Sequence, residues 1–342
     1  MTKKSSVLLI YTGGTIGMMQ DPRSGELKPF DFKSLTQQIP ELTKFDIELS
    51  SISFKKPIDS SNMHPDVWIE LAGIIKKNYH KHDGFVILHG SDTMSFTASA
   101  LSFMLENLGK PVVLTGSQLP IGIIRTDGKE NLITAIEIAG AKEKGKSLIS
   151  EVCIYFEYKL YRGNRTFKYN SAHFDAFKSP NYPALAEAGV TINYNKAALL
   201  KRSQKKLIVH NMLDNDITVL KLFPGISKKI TSAIINTKGV KAIILETFGA
   251  GNATTQNWFI KELETVIAKG IIVLNITQCS EGRVIQGMYE TSSQLKKLGV
   301  IGGADLTFES AVTKLMFLLG QKLEPSKIRK MLQMNLRGEL SN

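Results

Sequence analysis

Hydrophobic positions recur along this chain in two patterns. Short, β-branched apolar runs predict buried strands, and they occupy Val7–Tyr11, a segment near Glu48–Ser53, Phe85–His89, Pro111–Gly116, Val152–Phe156, Ile217–Leu222, Val240–Glu246 and Ile271–Thr277. Longer segments with apolar residues spaced by three and four predict helices, and they occupy Pro65–Tyr79, Met94–Leu108, Asn131–Lys142, Thr255–Lys269 and Thr307–Leu319. Their alternation predicts an α/β fold with parallel sheets.

The length divides this pattern into two domains. At roughly 100–200 residues per domain, 342 residues favour two units, each with its own core. The polar and basic stretch Asn193–Lys206 interrupts the alternation. We therefore predict a larger N-terminal domain over 1–195 with a mostly parallel sheet, a linker over 196–215, and a smaller parallel-sheet C-terminal domain over 216–342.

Composition excludes several classes of protein. With 43% hydrophobic and 22% charged residues, the chain is neither disordered, collagenous nor a disulfide-rich miniprotein. Cys153 and Cys279 lie in apolar runs and are expected as buried thiols. The run Val7–Tyr11 is shorter than the roughly 7–15 residues of a signal peptide, and no stretch approaches the roughly 20 apolar residues of a membrane span. We expect a cytoplasmic protein without membrane association.

The formal net charge of +12 raises the question of nucleic acid. Lysines occur as scattered doublets and in one denser basic segment, Lys201–Lys206. No aromatic residues alternate with them as in a single-strand binding groove. The charge therefore predicts a solvated surface and gives little support for a nucleic-acid partner.

The first candidate motif is Thr12-Gly13-Gly14-Thr15-Ile16-Gly17, directly after the first strand. In open α/β sheets the functional crevice lies beyond the carboxyl ends of the strands. Glycines there allow a sharp turn and close approach of a ligand, and they leave the Thr15 hydroxyl projecting. The dinucleotide fingerprint needs a glycine where Thr12 stands, so a nucleotide site is not favoured.

Two further motifs combine hydroxyls with a carboxylate. His89-Gly90-Ser91-Asp92-Thr93 precedes the helix beginning at Met94, and Asp59-Ser60-Ser61-Asn62-Met63 precedes the helix beginning at Pro65. Both motifs suit helix capping, since Ser, Asp and Thr are ordinary N-cap residues. The first of the two also suits a polar substrate with an ammonium group, and the second also suits a cradle for a carboxylate and an amine. His89 is expected as a packed core histidine.

The fourth motif, Tyr161–Lys168, follows the strand that carries Cys153. Lysine is rarely buried, so residue statistics favour a surface position for Lys168; burial would lower its pKa and suit it to act as a base. A threonine hydroxyl needs a base and oxyanion donors to act as a nucleophile. Thr15, Ser91, Asp92 and Lys168 would together supply an acyl-transfer site.

From Val7 to Leu340 the chain resembles the bacterial type I, cytoplasmic L-asparaginases. The segments that carry the resemblance are YTGGTIG, GFVILHGSDTM, TASALSFMLENLGKPVVLTGSQLP, LYRGNRTFK, FDAFKSPN, PGIS, GAGNA, NITQC and GVIGGADLT. The resemblance implies hydrolysis of L-asparagine to L-aspartate and ammonia through an acyl-enzyme, without a cofactor. It also implies a two-domain fold and a homodimer, or a homotetramer that is a dimer of dimers.

The resemblance assigns roles residue by residue. It implies Thr15 as nucleophile, with Ser91, Asp92 and Lys168 as the second catalytic group. The implied substrate-binding residues are Asp59, Ser60, Ser61, Ser91, Asp92 and Asn252, the last reaching the neighbouring subunit's site.

The chain departs from the family pattern in its catalytic motifs. Ser91 stands where the family normally has threonine, so the hydroxyl is kept and the methyl that restricts its rotamer is lost. Leu27 stands where many relatives place a loop tyrosine, and leucine cannot relay a proton. Either another group replaces this tyrosine or turnover is impaired. Tyr289 is the first candidate to replace it, with a packed aromatic as the alternative.

A second departure concerns the allosteric asparagine site of some type I relatives. Cys279 and Asn252 match its pattern, whereas Phe167 stands in place of a threonine and Glu246 in place of an arginine. A carboxylate in place of a cation opposes binding of the ligand's α-carboxylate. We therefore expect little or no cooperativity of this kind.

Two alternatives to a free-standing asparaginase remain. The amide-hydrolysing subunit of a transfer-RNA amidotransferase shares the core motifs, but it usually carries an additional domain before the first motif, which here starts at Thr12. A nucleic-acid or nucleotide-binding module would rest on the charge and the glycine turn, and would leave Thr15 dispensable.

Overall fold

A computed structural model describes residues 4–20, 27–29, 39–287 and 290–341. The chain divides into two compact units, Met1–Asn211 and Met212–Asn342. Each unit has its own sheet and its own apolar core. The fold class predicted from the alternating pattern is confirmed.

The helices and strands are numbered here in chain order. The helices are α1 (Pro65–Asn78), α2 (Met94–Met104), α3 (Gly128–Gly140), α4 (Lys228–Ile235), α5 (Asn257–Ala268), α6 (Glu290–Leu298), α7 (Phe308–Gly320) and α8 (Pro325–Leu332). The strands are β1 (Ser5–Tyr11), β2 (Met18–Gln20), β3 (Leu27–Pro29), β4 (Ile47–Ser53), β5 (Gly84–Leu88), β6 (Leu105–Glu106), β7 (Val112–Thr115), β8 (Lys142–Glu143), β9 (Lys146–Ser147), β10 (Val152–Phe156), β11 (Lys159–Arg162), β12 (Phe167–Lys168), β13 (Phe177–Lys178), β14 (Ala186–Ala188), β15 (Ile192–Tyr194), β16 (Ile208–Val209), β17 (Ile217–Lys221), β18 (Ala242–Thr247), β19 (Ile272–Thr277) and β20 (Ile301–Gly302).

The N-terminal sheet has the order β15-β14-β11-β10-β7-β5-β1-β4. The five neighbouring strands β4, β1, β5, β7 and β10 are parallel. Strands β11, β14 and β15 extend the sheet with antiparallel pairing. Leu9, Val86, Val113 and Cys153 pair in register across four neighbouring strands and all belong to the core. Since β4 and β5 lie on opposite sides of β1, the strand order reverses between β1 and β5, which is where α/β sheets bind ligands.

The C-terminal sheet is parallel throughout, in the order β17-β18-β19-β20. Helices α4, α5 and α6 contribute Ile235, Phe259 and Leu295 to a core shared with Ile243 of β18. Helix α7 packs against β17, β18 and β19.

Predicted elements and observed elements differ mainly at boundaries. Helix α2 ends at Met104 because the next two residues, Leu105–Glu106, pair as β6 with β16. Helix α3 begins at Gly128, before the expected Asn131. The prediction started late because the polar first turn lacks the apolar spacing of a helix face. Short polar helices such as α8 were not predicted.

The expectation for Cys279 is wrong. Cys153 is buried in β10, whereas Cys279 is exposed, and both thiols are free. Strand β19 ends at Thr277, and the backbone N–H of Cys279 donates to the Thr277 hydroxyl at 3.0 Å. The apolar run therefore stops short of Cys279, which lies in the following turn.

The boundary between the compact units falls inside the segment predicted as a linker. Residues before this boundary are tied to the N-terminal unit: Leu200 N–H donates to Glu151 Oε1 at 2.8 Å, and Arg162 Nη2 donates to the Ala198 carbonyl at 2.7 Å. The domain limits at 195 and 216 stay predictions.

A buried ion pair holds the end of the C-terminal unit. Lys314 on α7 and Glu339 have no exposed side-chain surface, and Lys314 Nζ lies 2.6 Å from Glu339 Oε1. The ammonium also donates to the carbonyls of Leu332 and Met334, while Glu339 accepts the backbone N–H of Leu336. Burial lowers the pKa of Lys314.

Within the described part of the chain, no helix has the length and apolarity to cross a bilayer.

Candidate functional site

Three loops meet beside the reversal point of the N-terminal sheet, and glycines allow their contact. A Cβ on Gly13 would overlap the Ile58 carbonyl, and one on Gly14 would overlap the backbone of Gly90. A Cβ on Gly90 would lie 2.5 Å from the Ser60 hydroxyl. The loops after β1, before α1 and after β5 are therefore in direct backbone contact.

The hydroxyls of Thr12 and Thr15 in the first loop differ in their hydrogen bonds to the described residues. Thr12 donates both its backbone N–H and its hydroxyl to the Leu88 carbonyl, at 3.0 Å each. Thr15 is half-buried and begins a 3₁₀ turn, with Gly14 before it at φ 86°. Among the described residues, none forms a side-chain hydrogen bond with the Thr15 hydroxyl, which suits a reactive oxygen.

The second loop and Lys168 form a close polar cluster. Lys168 Nζ donates to Ser91 Oγ at 2.8 Å and to Asp92 Oδ1 at 2.6 Å. The Lys168 side chain is 15% exposed and that of Asp92 is 64% exposed. Lys168 is therefore less exposed than residue statistics favoured, and it pairs with both Ser91 and Asp92.

The capping alternative is wrong for Ser91 and Asp92. The N-cap residue of α2 is Thr93, and it makes no side-chain capping bond. The Thr93 hydroxyl donates instead to the Ser60 carbonyl at 2.7 Å. Ser91 and Asp92 thus remain free of the helix end and are turned toward Lys168.

A network of charged and aromatic side chains surrounds the segment that precedes Lys168 in the chain. Arg162 forms an ion pair with Glu151 at 2.5 Å and stacks over the Tyr182 ring at 4.3 Å. Buried Arg165 also stacks on this ring, at 5.1 Å. The segment then enters β12, which pairs with β13 and presents Lys168.

Asp59 caps the 3₁₀ turn Ser60–Asn62 rather than the helix beginning at Pro65, whose N-cap residue is His64. Asp59 Oδ1 accepts the backbone N–H and the hydroxyl of Ser61, at 2.9 and 2.8 Å. These bonds, the backbone bond first, lower the pKa of the Asp59 carboxyl. Asp59 and Ser61 are exposed, whereas Ser60 is buried between the loops. The cap keeps the Asp59 carboxylate ionised and open to solvent.

His89 is a packed core histidine, as expected. It is fully buried, with Nδ1 2.6 Å from the Gly90 carbonyl and Nε2 2.9 Å from the Thr97 hydroxyl. Since a carbonyl only accepts, Nδ1 carries the proton; Thr97 then donates to Nε2 and receives the Trp68 indole N–H. Burial lowers the pKa of His89 to about 4. The imidazole is therefore neutral at pH 7 and orients Gly90.

This burial predicts a loss of stability in acid. Because the pKa rises from about 4 in the folded protein to 6.5 on unfolding, the unfolded state binds more protons in this window. We expect His89 to lower the free energy of unfolding by up to about 3 kcal/mol between pH 6.5 and 4. Urea unfolding at pH 7 and pH 4.5 should show less pH dependence in His89→Gln, and equal pH dependence in both proteins would contradict the assignment.

The C-terminal candidates are described within their own unit. Asn252 pairs with Phe248 through both backbone groups, at 2.9 and 2.8 Å. Glu246 at the end of β18 is 13% exposed on its side chain and lies 3.5 Å from Lys221 Nζ. Cys279 is exposed in the turn after β19.

Three other sequence candidates are placed as follows. Phe167 is half-buried next to Lys168 in β12 of the N-terminal unit. Leu27 lies in β3, which pairs with β2 opposite Gln20. Tyr289 lies outside the described residues.

Sequence reasoning missed Gln118. This residue follows β7 and accepts a hydrogen bond from Ser91 Oγ at 3.1 Å. Its side-chain amide donates to the carbonyls of Ser171 and His173, at 3.3 and 3.0 Å. The only sequence signal was its place at the carboxyl end of a buried strand, within the TGSQLP segment.

Comparison with known proteins identifies the family. The model "Asparaginase, N-terminal" matches residues 6–200, and "Glutaminase/Asparaginase C-terminal domain" matches residues 216–332. The chain belongs to the asparaginase family. It is 44% identical to L-asparaginase 1 of Escherichia coli K12 over 344 residues, covering 99% of both chains.

Two further proteins are similar to this chain over most of its length. The crystal structure of L-asparaginase I from Vibrio cholerae matches with a TM-score of 0.90 and 38% identity, covering 99% of this chain and 100% of that one. A glutamyl-tRNA(Gln) amidotransferase component from Pyrococcus abyssi is 34% identical, and the match covers 98% of this chain and 76% of that protein.

Proposed function

We propose that this protein is an amidohydrolase that converts L-asparagine to L-aspartate and ammonia. The observation that carries the proposal is the cluster of Lys168, Ser91 and Asp92 in the same unit as the Thr15 hydroxyl, which has no side-chain hydrogen bond among the described residues. The loops after β1 and β5, which carry Thr15 and the pair Ser91 and Asp92, meet at the reversal point of the sheet. Full-length similarity to L-asparaginase 1 of E. coli supports the choice of substrate.

The proposed reaction begins at Thr15. Its hydroxyl oxygen attacks the side-chain amide carbon of asparagine, its proton passes to the departing nitrogen, and ammonia leaves. The resulting ester joins the β-carboxyl carbon of an aspartyl group to Thr15 Oγ1. A threonine hydroxyl needs a proton acceptor for this step, so a group near Thr15 is required. We propose Tyr289 for this role, because Leu27 cannot transfer a proton.

The second half of the reaction uses Ser91, Asp92 and Lys168. Once Lys168 has released its extra proton, it accepts a proton through the Ser91 hydroxyl from an attacking water. The water oxygen bonds to the ester carbon, the bond to Thr15 Oγ1 breaks, Thr15 Oγ1 takes up the proton removed from the water, and L-aspartate leaves. Asp92 holds the Lys168 amine in place at 2.6 Å. Every atom of the products comes from asparagine or water, so the scheme requires no cofactor.

Substrate recognition is proposed for the exposed carboxylates and the adjacent hydroxyls. Asp92 and Asp59 suit the α-ammonium group, and Ser60 and Ser61 suit the α-carboxylate. Asn252 is proposed to complete the site of a neighbouring subunit, in a homodimer or a dimer of dimers. We further propose that the enzyme acts in the cytoplasm.

The direct test is ammonia release by the purified protein from L-asparagine and, separately, from L-glutamine. We expect release from asparagine. A folded protein that releases no ammonia from asparagine would refute the proposal. The preference between the two amides depends on one methylene, which changes binding by only about 1–3 kcal/mol.

Hyperbolic kinetics are expected from the polarity of the C-terminal unit. Glu246, which pairs with Lys221, stands where an arginine would bind the α-carboxylate of a second asparagine. Its own carboxylate opposes that binding. Initial rates against asparagine concentration should therefore give a Hill coefficient of about 1, as sites that do not interact do. A sigmoidal curve that Cys279→Ala abolishes would contradict this expectation.

A further inference from the structure

We propose that Gln118 is a positioning residue that fixes the direction of the Ser91 hydroxyl. The inference rests on the proposed function and adds a residue that neither the motifs nor the family roles had identified. It follows from the donors and acceptors around one serine oxygen and one carboxamide.

The bonds of Ser91 determine where its proton points. Lys168 donates to Ser91 Oγ at 2.8 Å, and an ammonium group has no acceptor. The serine oxygen must therefore accept from Lys168 and use its single proton elsewhere. Gln118 Oε1, 3.1 Å away, takes that proton. While Lys168 is an ammonium, this arrangement holds the Ser91 oxygen beside the lysine. Once Lys168 is neutral, the same oxygen can turn its proton to Lys168 and accept one from water.

The bonds of Gln118 determine which end of its amide faces Ser91. Its Nε2 donates to the carbonyls of Ser171 and His173. Carbonyls only accept, so the NH₂ group must lie on their side and Oε1 on the side of Ser91. The backbone N–H of Gln118 donates to both oxygens of Asp127, at 3.1 and 3.0 Å. The residue is anchored at both its backbone and its side chain.

These anchors connect the two parts of the candidate site. Ser171 and His173 lie between β12, which carries Lys168, and its partner β13. Ser91 belongs to the loop after β5. Gln118 therefore joins the Ser91 loop to the hairpin that presents Lys168, and changes in one should reach the other through this amide.

Serine needs this support more than threonine would. The methyl of threonine restricts χ1, whereas serine has three staggered positions open to its hydroxyl. Loss of the Gln118 acceptor would release Ser91 to turn away from Lys168. A group displaced by about 1 Å can reduce a rate by about 10²-fold.

A variant pair in two backgrounds tests this role. Gln118→Met keeps the length and removes both the acceptor and the donors. With Ser91 present, we expect kcat for asparagine to fall by about 10- to 100-fold and KM to change by less than about 3-fold, because Gln118 itself has no proposed contact with the substrate. In a Ser91→Thr background the same change should lower kcat by less than about 3-fold, because the methyl restricts the rotamer. An equal loss in both backgrounds would overturn the proposal.

A structural readout is independent of activity. In a high-resolution crystal structure of Gln118→Met, we expect the Ser91 hydroxyl in more than one rotamer. A single rotamer still directed at Lys168 would overturn the role of Gln118, even if the enzyme hydrolyses asparagine. No ammonia release by the wild-type protein would instead overturn the proposed function, and with it the proposed catalytic role of Gln118.

Gln321 provides a matched control. Its amide also donates to two backbone carbonyls, those of Met212 and Phe317, but it belongs to the C-terminal unit. Gln321→Met should leave kcat unchanged in either background. A comparable loss from this variant would show that the effect of Gln118→Met is a general consequence of losing a buttressing amide.

Discussion

Replacement of Thr15 by alanine should lower kcat for asparagine by at least about 10³-fold. The hydroxyl is the only group of Thr15 that can form an ester, and its place in the 3₁₀ turn leaves it without a side-chain partner among the described residues. Alanine removes this oxygen and keeps the backbone turn. Ammonia release, measured with saturating asparagine, gives the loss directly.

Thr15→Ser is the matched control for this change. Serine keeps the hydroxyl and loses only the methyl, so ammonia release should remain measurable. Both variants should show the circular dichroism spectrum and unfolding midpoint of the wild type. Thr15→Ala that keeps more than about a tenth of the wild-type rate would contradict the assignment, since loss of an attacking group costs far more.

Replacement of Lys314 by methionine should destabilise the C-terminal unit by about 3–5 kcal/mol, the usual cost of leaving one partner of a buried ion pair unpaired. Glu339 would stay buried and lose its cation, and the carbonyls of Leu332 and Met334 would lose their donor. Urea unfolding followed by the fluorescence of Trp258 reports on this unit when Trp68 is replaced by phenylalanine in every protein compared.

Two further variants make the stability test specific. Lys241→Met removes a lysine of the same unit that bridges Asp214 and Asp216 at 49% exposure, and it should cost no more than about 1 kcal/mol. Lys314→Met combined with Glu339→Gln removes the charge that the single variant strands, and it should be more stable than Lys314→Met alone. Equal losses from Lys241→Met and Lys314→Met would contradict the account of the pair.

The parallel core was predictable because its strands are buried on both faces. Continuous apolar runs such as Val152–Phe156 can only be placed inside a sheet, and this strand was predicted with its observed bounds. The antiparallel extension was not predictable in the same way. Strand β14 is short and pairs with β11 through Ala186 opposite Leu160, a contact that no local pattern specifies.

The candidate site shows the same division. Thr15, Ser91 and Asp92 follow strands and stand out as hydroxyls and a carboxylate after apolar runs. Lys168 required the resemblance, because residue statistics favour an exposed lysine. Gln118 escaped because its significance lies in bonds to Ser91 and to the carbonyl of His173, 27 and 55 positions away along the chain. Such contacts depend on the strand order. The sequence predicted the α/β class and not the order of its strands.

The most direct test of the account is to find the acyl group itself. The purified enzyme would be mixed with L-asparagine, quenched with acid during turnover, digested and examined by mass spectrometry. We expect an aspartyl ester on the peptide containing Thr15, absent from Thr15→Ala and increased in Lys168→Met, in which the second step is slowed. An aspartyl group on another residue would contradict the proposed reaction. So would an unmodified Thr15 peptide in Lys168→Met when the wild-type enzyme is active.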